Sequence, residues 1–185
     1  MQPIGLLMIE HRLIERMIPI LDENLQKIKE TNTLDSNFLI ICIDFFKTYA
    51  DKIHHGKEED ILFKALEKIQ ISKDHKKTLE QLLRDHRTSR TIIGSLEEAN
   101  NQFCRGDKSV LNDIQEKIHQ LTVLYPQHIE IEDKQFFFPI MDYFTREECD
   151  NMIREFFDFD KNIIHKYYNQ IVEKQEKLFG LKENE

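Results

Sequence analysis

Apolar residues recur at helical spacing along almost the whole chain. Leu6, Ile9, Leu13, Met17, Ile20 and Leu21 predict a first helix over about 2–29. The polar stretch TNTLDS ends it, and Asp35 or Ser36 is placed to cap the next. The second helix, about 37–69, turns Phe38, Cys42, Phe45, Phe46, Tyr49 and Ile53 inward, and Gly56 marks a bend in it. Ser72 or Asp74 caps a third helix that runs to about 103, where CRGD turns the chain on Gly106. The fourth helix, about 108–144, contains Pro126, which is expected to kink it just before His128. Thr145 and Glu148 form a capping box for a fifth helix over about 146–179. That helix repeats Ile153, Phe156, Phe157, Ile164, Tyr167, Tyr168 and Ile171 on one side, and the tail GLKENE is expected to fray.

Long helices joined by short turns pack antiparallel. The expected fold is all-α: one domain over 1–185, an up-down-up-down four-helix bundle over about 2–144 and an extra C-terminal helix. The fifth helix has an apolar stripe of its own, so it lies across the bundle, against a second copy in a homodimer, or against a protein partner. Low glycine and proline (5 and 4) agree with helices throughout. A net charge of −8 with no basic stripe argues against nucleic acid. No apolar run reaches the length of a membrane span. Glu10, His11 and Arg12 bring charge too early for a signal peptide. Cys42, Cys104 and Cys149 form no C-x-x-C, which fits reduced thiols of a cytoplasmic protein.

The candidate chemistry is a pattern that occurs twice. His54 and Glu58 stand in HHGKEEDILF, and His128 and Glu132 stand in HIEIEDKQFF. A single histidine precedes each pair: His11 by 43 positions, and His86 by 42. Residues four apart share a helix face, so each His-x-x-x-Glu presents an imidazole and a carboxylate to one point. Four imidazoles and two bridging carboxylates give each of two metal ions four protein donors. An octahedral ion then keeps one position for a shared oxo or hydroxo bridge and one for an outside ligand. Nitrogen and oxygen donors without thiolate suit iron, with zinc or manganese as substitutes. The adjacent register, His55 with Glu59, has the same spacing; His54 and Glu58 are preferred because the histidine heads the phrase HxxxEE.

These phrases resemble the hemerythrin-like family of cation-binding domains, whose pattern H…HxxxE…H…HxxxE is met by His11, His54, Glu58, His86, His128 and Glu132. EH in the first helix, HxxxEExxLF in the second and DH in the third match as well, and the likeness covers about 4–144. The resemblance implies a four-helix bundle around a non-haem di-iron centre that binds oxygen or a related small molecule. Invertebrate oxygen carriers place a second histidine four residues after the third-helix histidine, and this chain has Arg90 there. That nitrogen is missing, or replaced by water or another side chain. The departure favours an open site of the kind linked to oxygen, nitric oxide or peroxide chemistry in bacterial relatives. Binding for sensing, storage or detoxification is the leading reading. Alternatives are an enzyme turning over peroxide, oxygen or nitric oxide with external electrons, and a module that donates or reports iron through the fifth helix.

Other residues carry plainer expectations. His55, His75, His119 and His165 have no pattern partner and are expected on solvated faces or in polar core contacts. Tyr49 and Tyr125 are expected to pack in the core, although a buried phenol near the site could donate a hydrogen bond. Glu10 and Asp85 adjoin candidate histidines but point elsewhere on their helices, so they are expected to be exposed charge. Glu59 and Asp133 are expected to face solvent or stand just outside the donors, Glu130 to lie on the surface, and Phe136, Phe137 and Phe138 to fill one end of the bundle.

Overall fold

The computed structural model describes the backbone of residues 2–178 and the side chains of residues 2–163. The expectations for Ile164, His165, Tyr167, Tyr168, Ile171 and the tail fall outside the described side chains. Among the described residues there are helices and turns but no strands.

α1 is Ile4–Thr31 and ends on Asn32 in the left-handed conformation (φ 52°), whose N–H closes on the Ile28 carbonyl. α2 (36–66) opens on the Asp35 carboxylate, which accepts from the N–H groups of Asn37 and Phe38. α3 is Lys73–Cys104, capped by the Ser72 hydroxyl, and Gly106 turns the chain beyond it with φ +105°. A short 3₁₀ turn, Lys108–Val110, leads into α4 (111–141). Pro126 stays inside a helical run, Leu111–Ile131. α5 is Arg146–Leu178. At its start Thr145 N–H donates to Glu148 at 2.7 Å while the Glu148 N–H reaches back to the Thr145 hydroxyl.

α1 packs on α4, α4 on α3, α3 on α2 and α2 on α1, which closes a four-helix ring. The apolar interior falls into two clusters. One gathers Ile14 to Ile28 of α1, Leu39 to Ala50 of α2, Ile93 to Phe103 of α3 and Leu111 to Ile129 of α4. The other gathers Ile4, Leu7, Ile61 to Leu66, Leu79, Leu82 and Phe136 to Met141, and α5 adds Cys149, Met152 and Phe156. The histidines and carboxylates singled out by the sequence lie between these clusters. α5 therefore covers one end of the bundle with its first half.

Two helices depart from regular pitch where the polar residues lie. α2 is π-helical over Phe46–His55 and again over Glu58–Phe63, and α4 is π-helical over Glu132–Phe136. A π turn bonds i to i+5 and takes in an extra residue, so neighbouring side chains diverge less than on an α-helix. That brings adjacent residues to one face. Phe136 and Phe137 are both fully buried, and Phe138 is 55% exposed, so only two of the three phenylalanines fill the bundle end.

Candidate metal centre

His11 on α1, His54, His55 and Glu58 on α2, His86 on α3, and His128 and Glu132 on α4 meet in the middle of the bundle, all buried. Their ligand atoms form two quartets, each with every atom within 4.8 Å of the others: His55, Glu58, His86 and His128, and His11, His54, Glu58 and Glu132. Glu58 belongs to both. Glu132 reaches across as well: its Oε2 lies 3.1 Å from His11 Nε2 and 3.3 Å from His128 Nε2, and its Oε1 lies 3.9 Å from His86 Nε2. The His54 and His86 Nε2 atoms are each 3.4 Å from an oxygen of Glu58.

The expectation for His55 needs correction. It is buried and makes a polar contact with Asp51 at 3.3 Å, but its ring also enters the cluster and stacks on His86 with ring centroids 3.8 Å apart. The π-helical turn is the physical reason. On a regular helix His54 and His55 would diverge by about 100°, whereas here both rings enter the cluster. The two registers weighed from the sequence are therefore not exclusive at the histidine. They are exclusive at the acid, because Glu58 faces the cluster and Glu59 stands behind it.

Each imidazole is held from behind by a carboxylate. His11 Nδ1 lies 2.7 Å from Asp133, His54 Nδ1 3.0 Å from Glu10, His55 Nδ1 3.3 Å from Asp51 and His86 Nδ1 2.7 Å from Glu59. His128 Nδ1 is 3.6 Å from Asp85, a looser contact. A carboxylate accepts, so an imidazole with its proton on Nδ1 satisfies this contact and keeps the Nε2 lone pair for a cation. The exposed-charge expectation for Glu10 and Asp85 is thus also corrected. Four of the five acids adjoin a donor on their own helix but serve the histidine of the next: α1 Glu10 serves α2 His54, α2 Glu59 serves α3 His86, α3 Asp85 serves α4 His128, and α4 Asp133 serves α1 His11, while Asp51 serves His55 of its own helix. The ring of helices carries a ring of carboxylates.

Arg90 is a strut in this outer ring. Its guanidinium donates to Asp51 and to Glu59, each at 2.7 Å, and so braces the acids behind His55 and His86. Arg12 pairs with Asp133, and Lys57, buried despite its charge, pairs with Glu10. Phe63 stacks on His86 and Phe137 on His11, at 6.0 and 5.7 Å between centroids. Tyr125 is buried with its ring parallel to His55 at 6.4 Å, and no well-formed hydrogen bond reaches its hydroxyl. His75 lies apart from the cluster against Tyr143 at 2.9 Å.

The electrostatics describe a cluster built for cations. Burial, then the charges of neighbouring histidines, holds His54 and His86 well below the usual imidazole value. Burial and His86 do the same to His55, against the upward pull of Asp51. Burial, then the facing Glu132 carboxylate, pushes Glu58 far up. Burial pulls His11 down, but Asp133 and Glu132 overcome it and hold it up at about 9. Nε2 of His11 and His54 and both oxygens of Glu58 and Glu132 lack well-formed hydrogen bonds. Such groups are costly to bury unless something positive joins them. Imidazole nitrogens beside carboxylates that repel one another, without thiolate, fit one or two divalent ions. The cysteines lie outside both quartets, with Cys42 and Cys149 buried and Cys104 exposed.

No helix among the described residues is long and apolar enough to cross a membrane. No curated protein and no solved structure matches the chain. The model of the hemerythrin HHE cation-binding domain matches residues 2–140, and the chain belongs to that family.

Proposed function

We propose that the seven buried donors hold two iron ions and that the pair binds a small ligand such as oxygen, nitric oxide or peroxide, for sensing, storage or detoxification. The observation that carries this reading is the division of donors into two quartets sharing Glu58. His55, His86 and His128 supply three nitrogens to one ion; His11 and His54 supply two to the other. Glu58 and Glu132 each have two oxygens, enough to serve both ions. The His11/His54 ion therefore keeps one more position for an outside ligand. Iron bound there supplies reversible electron transfer to a diatomic or peroxide ligand. Zinc or manganese fits the same donors.

The protein's own residues set what that ligand can be. The donors are at most 3% exposed, and Phe63, Phe137 and Tyr125 close around them, so only a small molecule fits. Tyr125 offers a buried O–H beside the three-histidine quartet, and burial keeps it protonated. His55 supplies the third nitrogen that Arg90 does not, so the fifth imidazole expected of an oxygen carrier arrives from α2 rather than α3. Arg90 is freed to hold Asp51 and Glu59.

The test is metal analysis of the purified chain with optical spectra before and after exposure to air. Two irons per chain and a near-ultraviolet band typical of a bridged ferric pair are expected; less than one tightly bound metal, whatever ion is supplied, overturns the reading. Catalytic loss of hydrogen peroxide, abolished in His54→Ala, would turn the assignment from binding to enzymatic turnover.

A further inference from the structure

One group near the cluster has no part in holding metal. Lys57 is 1% exposed, and its ammonium is shared by two acids: Glu10 of α1, and Asp160 of α5 at 2.8 Å. The same Glu10 uses its other oxygen for His54 Nδ1 at 3.0 Å. A continuous chain of contacts thus runs from the cluster outward: His54, Glu10, Lys57, Asp160. Its last member is on the fifth helix, beyond the part of the chain that matches the family.

Two further observations show that α5 is seated at this place. Gly56 precedes Lys57, and a Cβ there would stand 2.6 Å from Phe159 Cζ, so the side chains of α5 come close to the backbone of α2. Phe156 is buried in the apolar cluster at the bundle end, and the Lys57 ammonium lies 6.0 Å from the centre of its ring.

We infer that Lys57 and Asp160 are positioning residues for the metal centre, so that metal loading at His11/His54 and docking of α5 favour one another. The inference rests on the metal-binding reading above. A cation on His54 Nε2 obliges the ring to keep its proton on Nδ1, where it donates to Glu10. Glu10 is then fixed with one oxygen toward His54 and the other toward Lys57. Lys57 is left with Asp160 as its remaining anion, and a buried ammonium does not give up such a partner cheaply. Without a cation the imidazole is free to take either tautomer, and the chain loses its inner anchor. Coupling of this kind is reciprocal: what metal does for α5, α5 does for metal.

The experiment uses the full chain, metal-free and loaded with ferrous iron without oxygen, as wild type, Asp160→Asn and Asp158→Asn. Asp158 is an exposed acid on the same helix, so its variant controls for the charge change. Metal content, amide exchange of residues 149–163 and the rate of iron loss to a chelator are read on the same samples. In the wild type, iron should slow exchange in α5 at least several-fold. Asp160→Asn should keep the wild-type metal content, lose most of that slowing, and release iron about tenfold faster, the scale on which orienting partners act. Asp158→Asn should behave as wild type. Unchanged α5 exchange in a chain that binds its iron, or identical behaviour of the two variants, overturns the inference and leaves the metal centre standing. A wild-type chain that binds no metal overturns both.

Discussion

The two helix pairs repeat one sequence pattern and yet furnish the cluster differently. α1 with α2 and α3 with α4 each bring a single histidine and a His-x-x-x-Glu. α4 turns π-helical only after His128, over Glu132–Phe136, whereas α2 is π-helical through both of its histidines. α2 therefore presents both of its adjacent imidazoles, whereas α4 has Ile129 in the place of His55 and presents one. The outer carboxylates differ in the same sense. Glu10 is backed by Lys57 and α5, and Asp51 and Glu59 are tied by Arg90. On the other pair Asp133 is paired with Arg12, and Asp85 stands 3.6 Å from His128, the loosest of the five contacts. Equal motifs become unequal sites because two things outside the motif differ: the residue after its histidine, His55 against Ile129, and the helix pitch that lets His55 face inward.

The sharpest way to break this comparison is at the shared acid. Glu58→Ala removes a donor from both quartets and is expected to take metal content from two per chain to none, whereas Glu132→Ala should retain metal at the three-histidine quartet; elemental analysis of the purified variants decides. His55→Ala comes next. It should cost one metal, leaving the other on His11 and His54, and a variant that still holds two would show that α2's second imidazole is only packing.

The outer ring should show smaller, graded effects. Glu10→Ala is expected to weaken metal binding about 10- to 100-fold, and Asp85→Ala by less than about tenfold, as measured by competition with a chelator. Gly56→Ala drives a methyl into Phe159 and should destabilise the protein by about 1–3 kcal/mol in denaturant titration, through the seat of α5 rather than through the donors.

The pH dependence of the metal-free protein is the mildest test. His54, His55 and His86 are held below the ordinary imidazole value of 6.5. Below that pH the unfolded chain binds protons that the folded one refuses, so stability falls as pH falls from about 6.5. His11 acts in the other direction. Its contribution is complete below 6.5 and is lost as pH rises through about 9. It adds no slope on the acid side and cannot mask the loss. Glu58 and Glu10, both raised by burial, work the other way, because folded they take up protons above the ordinary 4.5 and gain stability as pH falls toward it. With three histidines against these two acids, thermal melts of metal-free protein should still fall from neutral to acid pH, and metal loading should flatten the curve near neutrality.

Much of this was legible in the sequence. Helical periodicity located five helices, and Asp35, Ser72 and the Thr145–Glu148 pair cap helices as their chemistry predicts. The doubled pattern pointed to six of the residues that the fold brings together. His55 was not legible, because reading α2 at regular pitch turns it away from His54. A signal existed all the same: two adjacent histidines in α2, together with Arg90 where invertebrate oxygen carriers place another, hinted that one could stand in for the other. Glu59 and Asp133 stand just outside the donors, one of the two places expected for them, but Glu10 and Asp85 were read as exposed charge for a related reason. An acid beside a donor points away from that donor, and only the packed ring shows that it points at the next helix. The recurrence of an acid next to a donor on every helix (Glu10, Glu59, Asp85 and Asp133) was the available clue.

The central claim is that two quartets of donors hold two ions. Elemental analysis of the wild type beside His55→Ala, each loaded with ferrous iron without oxygen and then freed of loose metal, tests it most directly. Two irons per chain are expected in the first and one in the second. Less than one in the wild type, or the same number in both, would contradict it.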